Sequence, residues 1–201
     1  MKRAMISRSL VAGLALAVSG SCAAFAQGAA PAQLPRPEVK QVEDWQVRCY
    51  PVQSISPCDI FQEQAQKDTG QRVLSISIAF VPSMNRHIIQ VTVPLDVSIP
   101  KGVTMQSDTY TSPVLKYRMC TREGCFVQTG IDNALVEALA RSSGTGKINV
   151  EADGGKKVAL TFSLKGFAAA HDDMAAQAKA KATKAPEGAA AAAPAPAPAT
   201  P

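Results

Sequence analysis

The sequence predicts an all-β protein: an antiparallel β-sandwich with one short α-helix. Three observations predict it. Apolar and polar residues alternate through the middle of the chain, and turn-forming residues recur every eight to twelve positions. A single segment, preceded by a capping residue, has helical spacing instead. A closed barrel would show the same alternation, so pattern alone leaves that architecture open.

The elements follow in order. Lys2, Arg3 and Arg8 form a basic start, Leu10 to Gly20 is an apolar run, and "AFAQ" offers a small-x-small site with cleavage expected between Ala26 and Gln27. The apolar run is far short of the roughly twenty residues that span a bilayer. The segment is therefore read as an export leader, and the mature chain is expected to carry no transmembrane span. A lipidated cysteine would want a large aliphatic residue three positions earlier. Ser19 stands there, so Cys22 is read as leaving with the leader.

The expected organisation is a leader over 1–26, a linker over 27–38, a sandwich domain over 39–169 and a disordered Ala/Pro/Lys-rich tail over 170–201. The tail ends in "AAAAAPAPAPATP" and offers few large side chains to offset the entropy of ordering. Its first part, Ala168 to Lys181, has the composition of a transient helix.

In the middle, "QRVLSISIAF" puts Leu74, Ile76, Ile78 and Phe80 on one face and Ser75 and Ser77 on the other. "VALTFSL" does the same with Val158, Leu160, Phe162 and Leu164. Further strands are expected over Trp45–Tyr50, Cys58–Gln66, His87–Val93, Val103–Ser107, Val114–Cys120, Cys125–Gly130 and Lys147–Ala152. "KDTG" and "DGG" supply hairpin turns, and "PKG" suits a type I turn. The helix begins at "DNALVEAL", with Asp132 as N-cap, Ile131 and Val136 as an apolar staple, and Gly144 closing the segment.

Charge excludes one class. The leader holds three basic residues and no acid, so its removal lowers the net charge from +5 to about +2. The remaining cations are scattered, without a basic stripe interleaved with aromatics, and nucleic acid is not an expected partner.

Four cysteines remain: Cys49, Cys58, Cys120 and Cys125. An even number in an exported chain reads first as disulfides, with three connectivities to choose from. In "MCTREGC" a four-residue hairpin loop sets Cys120 opposite Cys125, within bridging distance. Cys49 ends one strand and Cys58 opens the next, which favours Cys49–Cys58 as the second bridge. A redox pair would want C-x-x-C at a helix N-terminus, and zinc would want C-x2-C or histidine spacing. Met84, His87 and Met119 are too isolated in the sequence to favour copper.

Catalytic motifs are missing: G-x-S-x-G, H-E-x-x-H, a P-loop and G-x-G-x-x-G do not occur. Glu43 and Asp44 read as solvated charge, Trp45 and Phe126 as core aromatics, and His87 as a rim side chain. His171 falls where order is expected to fade. The expectation is a non-enzyme without metal or cofactor.

"DWQVRC" with its second cysteine, then "IPKGV", Gly124-Cys125, "DNALVEAL" and "FSLKGFAAA" resemble, in order and spacing, the invasion-associated locus B family over Val42 to Ala170. The resemblance implies an exported Gram-negative protein with an immunoglobulin-like sandwich and no known catalytic activity, associated in pathogens with invasion of host cells. It supplies no catalytic residues. The expected location is the periplasm, the outer membrane or the medium, and the expected partner is a protein or a cell-envelope component. A thiol–disulfide or metal-binding protein using Cys120 and Cys125 is the competing reading.

Overall fold

Ten strands and two helices form in the computed structural model, which describes residues 36–182. The strands are β1 (Glu38–Val42), β2 (Trp45–Cys49), β3 (Cys58–Ala65), β4 (Arg72–Val81), β5 (Arg86–Val93), β6 (Val103–Gln106), β7 (Tyr117–Thr121), β8 (Gly124–Ile131), β9 (Thr145–Glu151) and β10 (Lys157–Ser163). Helix α1 covers Asn133–Arg141 and α2 covers Phe167–Ala182. Every strand pairing is antiparallel, in a seven-stranded sheet ordered β1-β2-β3-β4-β5-β8-β7 and a three-stranded sheet ordered β10-β9-β6.

Period-two alternation decides which face is buried. On the large sheet, Trp45 and Val47, Ile60, Leu74, Ile76 and Ile78, Ile89 and Val91, and Val127 point the same way and are buried. Met105, Ile148 and Phe162 of the small sheet join the same core. The fold is thus sandwich-like, as the alternation predicts. Its partition is seven and three, with β1 to β5 running as one meander, where an immunoglobulin constant-type domain divides four and three.

Trp45 sits where the layers meet. Its indole N–H donates to the Ser163 carbonyl at 3.0 Å. Its ring meets Phe162 and Phe167 edge-on, at centroid distances of 6.3 and 5.2 Å. Each such aromatic pair contributes about 0.5–1.5 kcal/mol beyond the area it buries. Gly146 lies opposite Phe162 in the register, and a Cβ there would come within 2.3 Å of the ring. The phenyl group occupies the space a side chain would need.

Asp132 caps α1 as expected, its carboxylate accepting the Leu135 N–H at 2.8 Å. Val158 and Leu160 are only half-buried because β10 is an edge strand, while Phe162 and Leu164 are buried.

Three expectations are corrected. First, a strand precedes Trp45: β1, "EVKQV", is almost wholly exposed and gains its partner only through the tight turn to β2. Second, the segment expected as Val114–Cys120 is a strand only from Tyr117. Leu115 instead exchanges backbone bonds with Val103 of the small sheet, at 2.8 and 2.9 Å, as the chain crosses between layers. Third, a second α-helix forms among the described residues, and residues 170–182 are not a disordered tail. Phe167, Ala170, Met174 and Ala178 recur at helical spacing and are fully buried. Alanine offers little apolar area, but its small size lets α2 lie close to β2, β3 and β4. The leader, most of the expected linker and the Ala-Pro repeat lie outside the described residues.

Candidate functional site

The four cysteines occupy equivalent register positions at two ends of the large sheet. Cys49 faces Cys58 across β2–β3 with Cα atoms 4.2 Å apart, and Cys120 faces Cys125 across β7–β8 at 4.0 Å. Both pairs are at bonding distance, with sulfurs 2.10 and 2.08 Å apart. Their surroundings differ. Cys49 and Cys58 are buried, and the Gln177 carbonyl of α2 lies 3.4 Å from Cys49 Sγ. Cys125 is buried, but Cys120 is exposed on β7.

β7 is the last strand of the large sheet and has a single hydrogen-bonded neighbour. Its far side presents backbone groups free to pair with another chain. Met119 projects from it into solvent. Arg118 is held by the Gln128 side chain across the ladder. In the turn, the Thr121 hydroxyl donates to the Glu123 carboxylate, which holds that carboxyl below its ordinary pKa. Tyr117 turns inward, and its hydroxyl is buried without a partner, so desolvation pushes its pKa up to about 12. Gly124 fixes the hairpin: it has φ +135°, and a Cβ there would lie 2.3 Å from the Val93 carbonyl of β5.

Two other strands, β1 and β10, also have a single hydrogen-bonded neighbour. β1 is tied to α2 by Lys40–Asp173 at 2.8 Å and Lys181–Glu38 at 3.1 Å. The 107–115 segment screens β6 through bridges Val103–Leu115 and Gln106–Thr111.

A polar cleft of about 1050 Å³ opens beside Gln41, Asp44, Gln62, Thr161 and Ser163. Its central groups are already engaged. Gln62 Nε2 donates to the Asp44 and Ser163 carbonyls at 2.9 and 3.2 Å, its Oε1 accepts the Ser163 N–H at 2.8 Å, and Ser163 donates to the Asp44 carboxylate at 2.6 Å. Gln62 acts as a clip between the sheets. On the outer face, Arg48 makes a two-pronged contact with the buried Asp59, which also accepts from Ser77 at 2.5 Å, and the guanidinium lies 3.8 Å over Phe61. These contacts tie β2, β3 and β4 together.

Sequence reasoning missed one constellation. His87 is not a rim residue: the β5 alternation that buries Ile89, Val91 and Val93 buries it too. Its phase with those residues was the available signal. His87 Nε2 lies 2.9 Å from His171 Nε2, at a helix position where order was expected to fade. Met84 and Met119 are both exposed, so His87 turns away from solvent while they turn towards it. Among the described residues, no group of three or more His, Cys, Asp or Glu side chains could hold a metal ion. Nor, among them, is any helix long and apolar enough to cross a membrane.

A disulfide-stapled antiparallel sandwich, with one staple ending on an edge strand, is the class of protein these features define. The family model described as invasion associated locus B (IalB) protein matches residues 45–175, and the chain belongs to that family. It is 29% identical over 137 residues to the invasion protein B homologues of Brucella abortus strain 2308 and of biovar 1 strain 9-941, covering 68% of this chain and 79% of each relative. The crystal structure of invasion associated protein B from Bartonella henselae matches with a TM-score of 0.60 at 21% identity, over 71% of this chain and 99% of that one. At that identity the likeness carries the fold alone. The family match runs through Ala175, so the first half of α2 lies within it.

Proposed function

We propose that this chain is an exported, non-enzymatic protein of the periplasm, outer membrane or medium that binds a protein partner by strand addition along β7. The observation that carries the reading is the combination on that strand: a single hydrogen-bonded neighbour, an exposed Met119, and a register pinned by the Cys120–Cys125 staple. Strand addition draws affinity from main-chain hydrogen bonds and specificity from alternate side chains. Export is supported by the leader and by cysteine pairs that persist in oxidising compartments. A part in host-cell invasion follows only if the source organism is a pathogen.

The test is photocrosslinking in living cells from position 119, with position 38 on the opposite edge as control. A discrete adduct from 119 and none from 38 is the expected result. Bulk contaminants alone, or identical adducts from both positions, would sink the edge reading.

The exposure of Cys120 favours a second reading, a thiol–disulfide exchanger using Cys120 and Cys125. An exchanger needs a bridge with a potential well above about −300 mV. Recovery of both disulfides intact after equilibration with a glutathione buffer removes that reading; loss of Cys120–Cys125 alone supports it.

A further inference from the structure

His87 and His171 meet at the seam between the sheet and α2. His87 comes from β5, His171 from the second turn of α2, and their rings lie 5.1 Å apart, tilted by 40°. The outer nitrogens both face oxygen: His87 Nδ1 is 3.1 Å from Asn133 Oδ1, and His171 Nδ1 is 3.3 Å from Asp172 Oδ1. The inner nitrogens, both Nε2, face each other at 2.9 Å. Phe80 lies against the His87 ring at 5.0 Å, and Phe167 stacks parallel to His171 at 6.3 Å.

An N···N contact of 2.9 Å is a hydrogen bond and needs one hydrogen between the rings. With none, two lone pairs oppose each other; with two, a pair of N–H groups meets point to point. The pair therefore tolerates one imidazolium and resists a second. A tetrahedral metal bound at about 2.0–2.1 Å would hold the nitrogens about 3.3 Å apart, so a hydrogen fits the observed gap better.

The surroundings offer a second cation little relief. Asp172 is the carboxylate in contact with the pair, and it is largely exposed. The Asp132 carboxylate at the start of α1 is occupied by the Leu135 N–H and the Tyr110 hydroxyl. Asp173 on α2 is paired with Lys40. Lys179, two turns further along α2, sits 5.6 Å over the Phe80 ring. Arg86, next to His87 on β5, is exposed on the opposite face. Burial lowers the His87 pKa; the Asn133 bond opposes that, and charge on His171 adds to it.

We propose that His87 and His171 form an acid-labile latch, which holds α2 against the sheet while at most one ring is charged and releases it when both are. Release would uncover the strip that Phe167, Ala170, Met174 and Ala178 now cover, together with Trp45 and the Cys49 end of β2. The sign follows from linkage. Below about pH 6.5 the unfolded histidines take up protons that the docked pair refuses. The cost of the second proton is thus absent above that pH and grows as the pH falls through the depressed folded value.

The experiment uses the full mature chain with both disulfides oxidised, followed from about pH 7.5 to about pH 4.5. Hydrogen exchange of α2, corrected for intrinsic rates, and emission of Trp45, which touches Phe167, are the readouts. The expected result is a several-fold or greater acceleration of α2 exchange at the acid end, with a matching Trp45 shift and β8 unchanged. H171Q, which can still hydrogen bond but cannot charge, should keep α2 docked and flatten the response. If H171Q does not fold, a histidine titration of the wild-type chain by NMR decides: a depressed His87 step supports the latch. Flat exchange in the wild-type chain, an unchanged response in H171Q, or a His87 step that is not depressed overturns it. So does micromolar Zn²⁺ raising the melting temperature of the wild-type chain and not of H171Q, which would put a metal in place of the hydrogen.

Discussion

The two ends of the large sheet carry the same local device in opposite settings. Across β2–β3 and across β7–β8, cysteines face each other at nearly equal Cα distances, 4.2 and 4.0 Å. Their sequence separations, 9 and 5, close short loops worth roughly 2–3 kcal/mol each in the chain-entropy model. One bridge is sealed beneath α2; the other ends on a strand open to solvent. Chain entropy therefore barely distinguishes them. Covering does, and it assigns stability to one end and accessibility to the other.

Four outcomes would sharpen or break that contrast. The largest is expected at the covered end, where Trp45→Ala removes a fully buried indole, two edge contacts and a hydrogen bond. A loss of about 3–5 kcal/mol in urea unfolding is expected; less than about 1 kcal/mol would mean that the layers do not meet there. Next come the paired substitutions of cysteine by serine. Removing Cys49–Cys58 should cost about 2–4 kcal/mol and Cys120–Cys125 about 2 kcal/mol, because only the first also strips packing from both sulfurs. Timed alkylation with mass spectrometry gives a kinetic check: under mild reductant Cys120–Cys125 should open first, and the reverse order would break the comparison. Smaller again, Asp132→Ala deletes the α1 cap and should lower stability by about 1 kcal/mol without disturbing the β7 edge. The smallest is Met119→Ala. It should change stability by no more than about 0.5 kcal/mol while weakening partner capture, a split that a merely structural residue would not show.

Much of this contrast was legible in the sequence, and the rest was not, for identifiable reasons. Alternation in β4 placed Leu74, Ile76, Ile78 and Phe80 inward, and the hairpin spacing put Cys120 opposite Cys125, because both signals are local. The Asp132 cap was legible for the same reason. The docking of α2 was not. A face made of one phenylalanine, one methionine and two alanines resembles solvent-exposed helix until a flat sheet is brought against it. β1 was missed because "EVKQV" buries almost nothing of its own. His87 and His171 are 84 residues apart, and Gln62 and Ser163 are 101 apart. No local pattern announces such meetings. Nor did any pattern say which strand would end the sheet, since that depends on β8 inserting between β5 and β7.

Gly124 carries a consequence for how the molecule matures. The residue before Cys125 rests directly on the β5 carbonyl at Val93, so any larger residue would lift the hairpin tip. Cys125 would then swing out of line with Cys120. Cys120, left unpaired on the exposed strand β7, would be open to bridging with another molecule. The room for a single hydrogen atom at position 124 thus keeps Cys125 in line with Cys120.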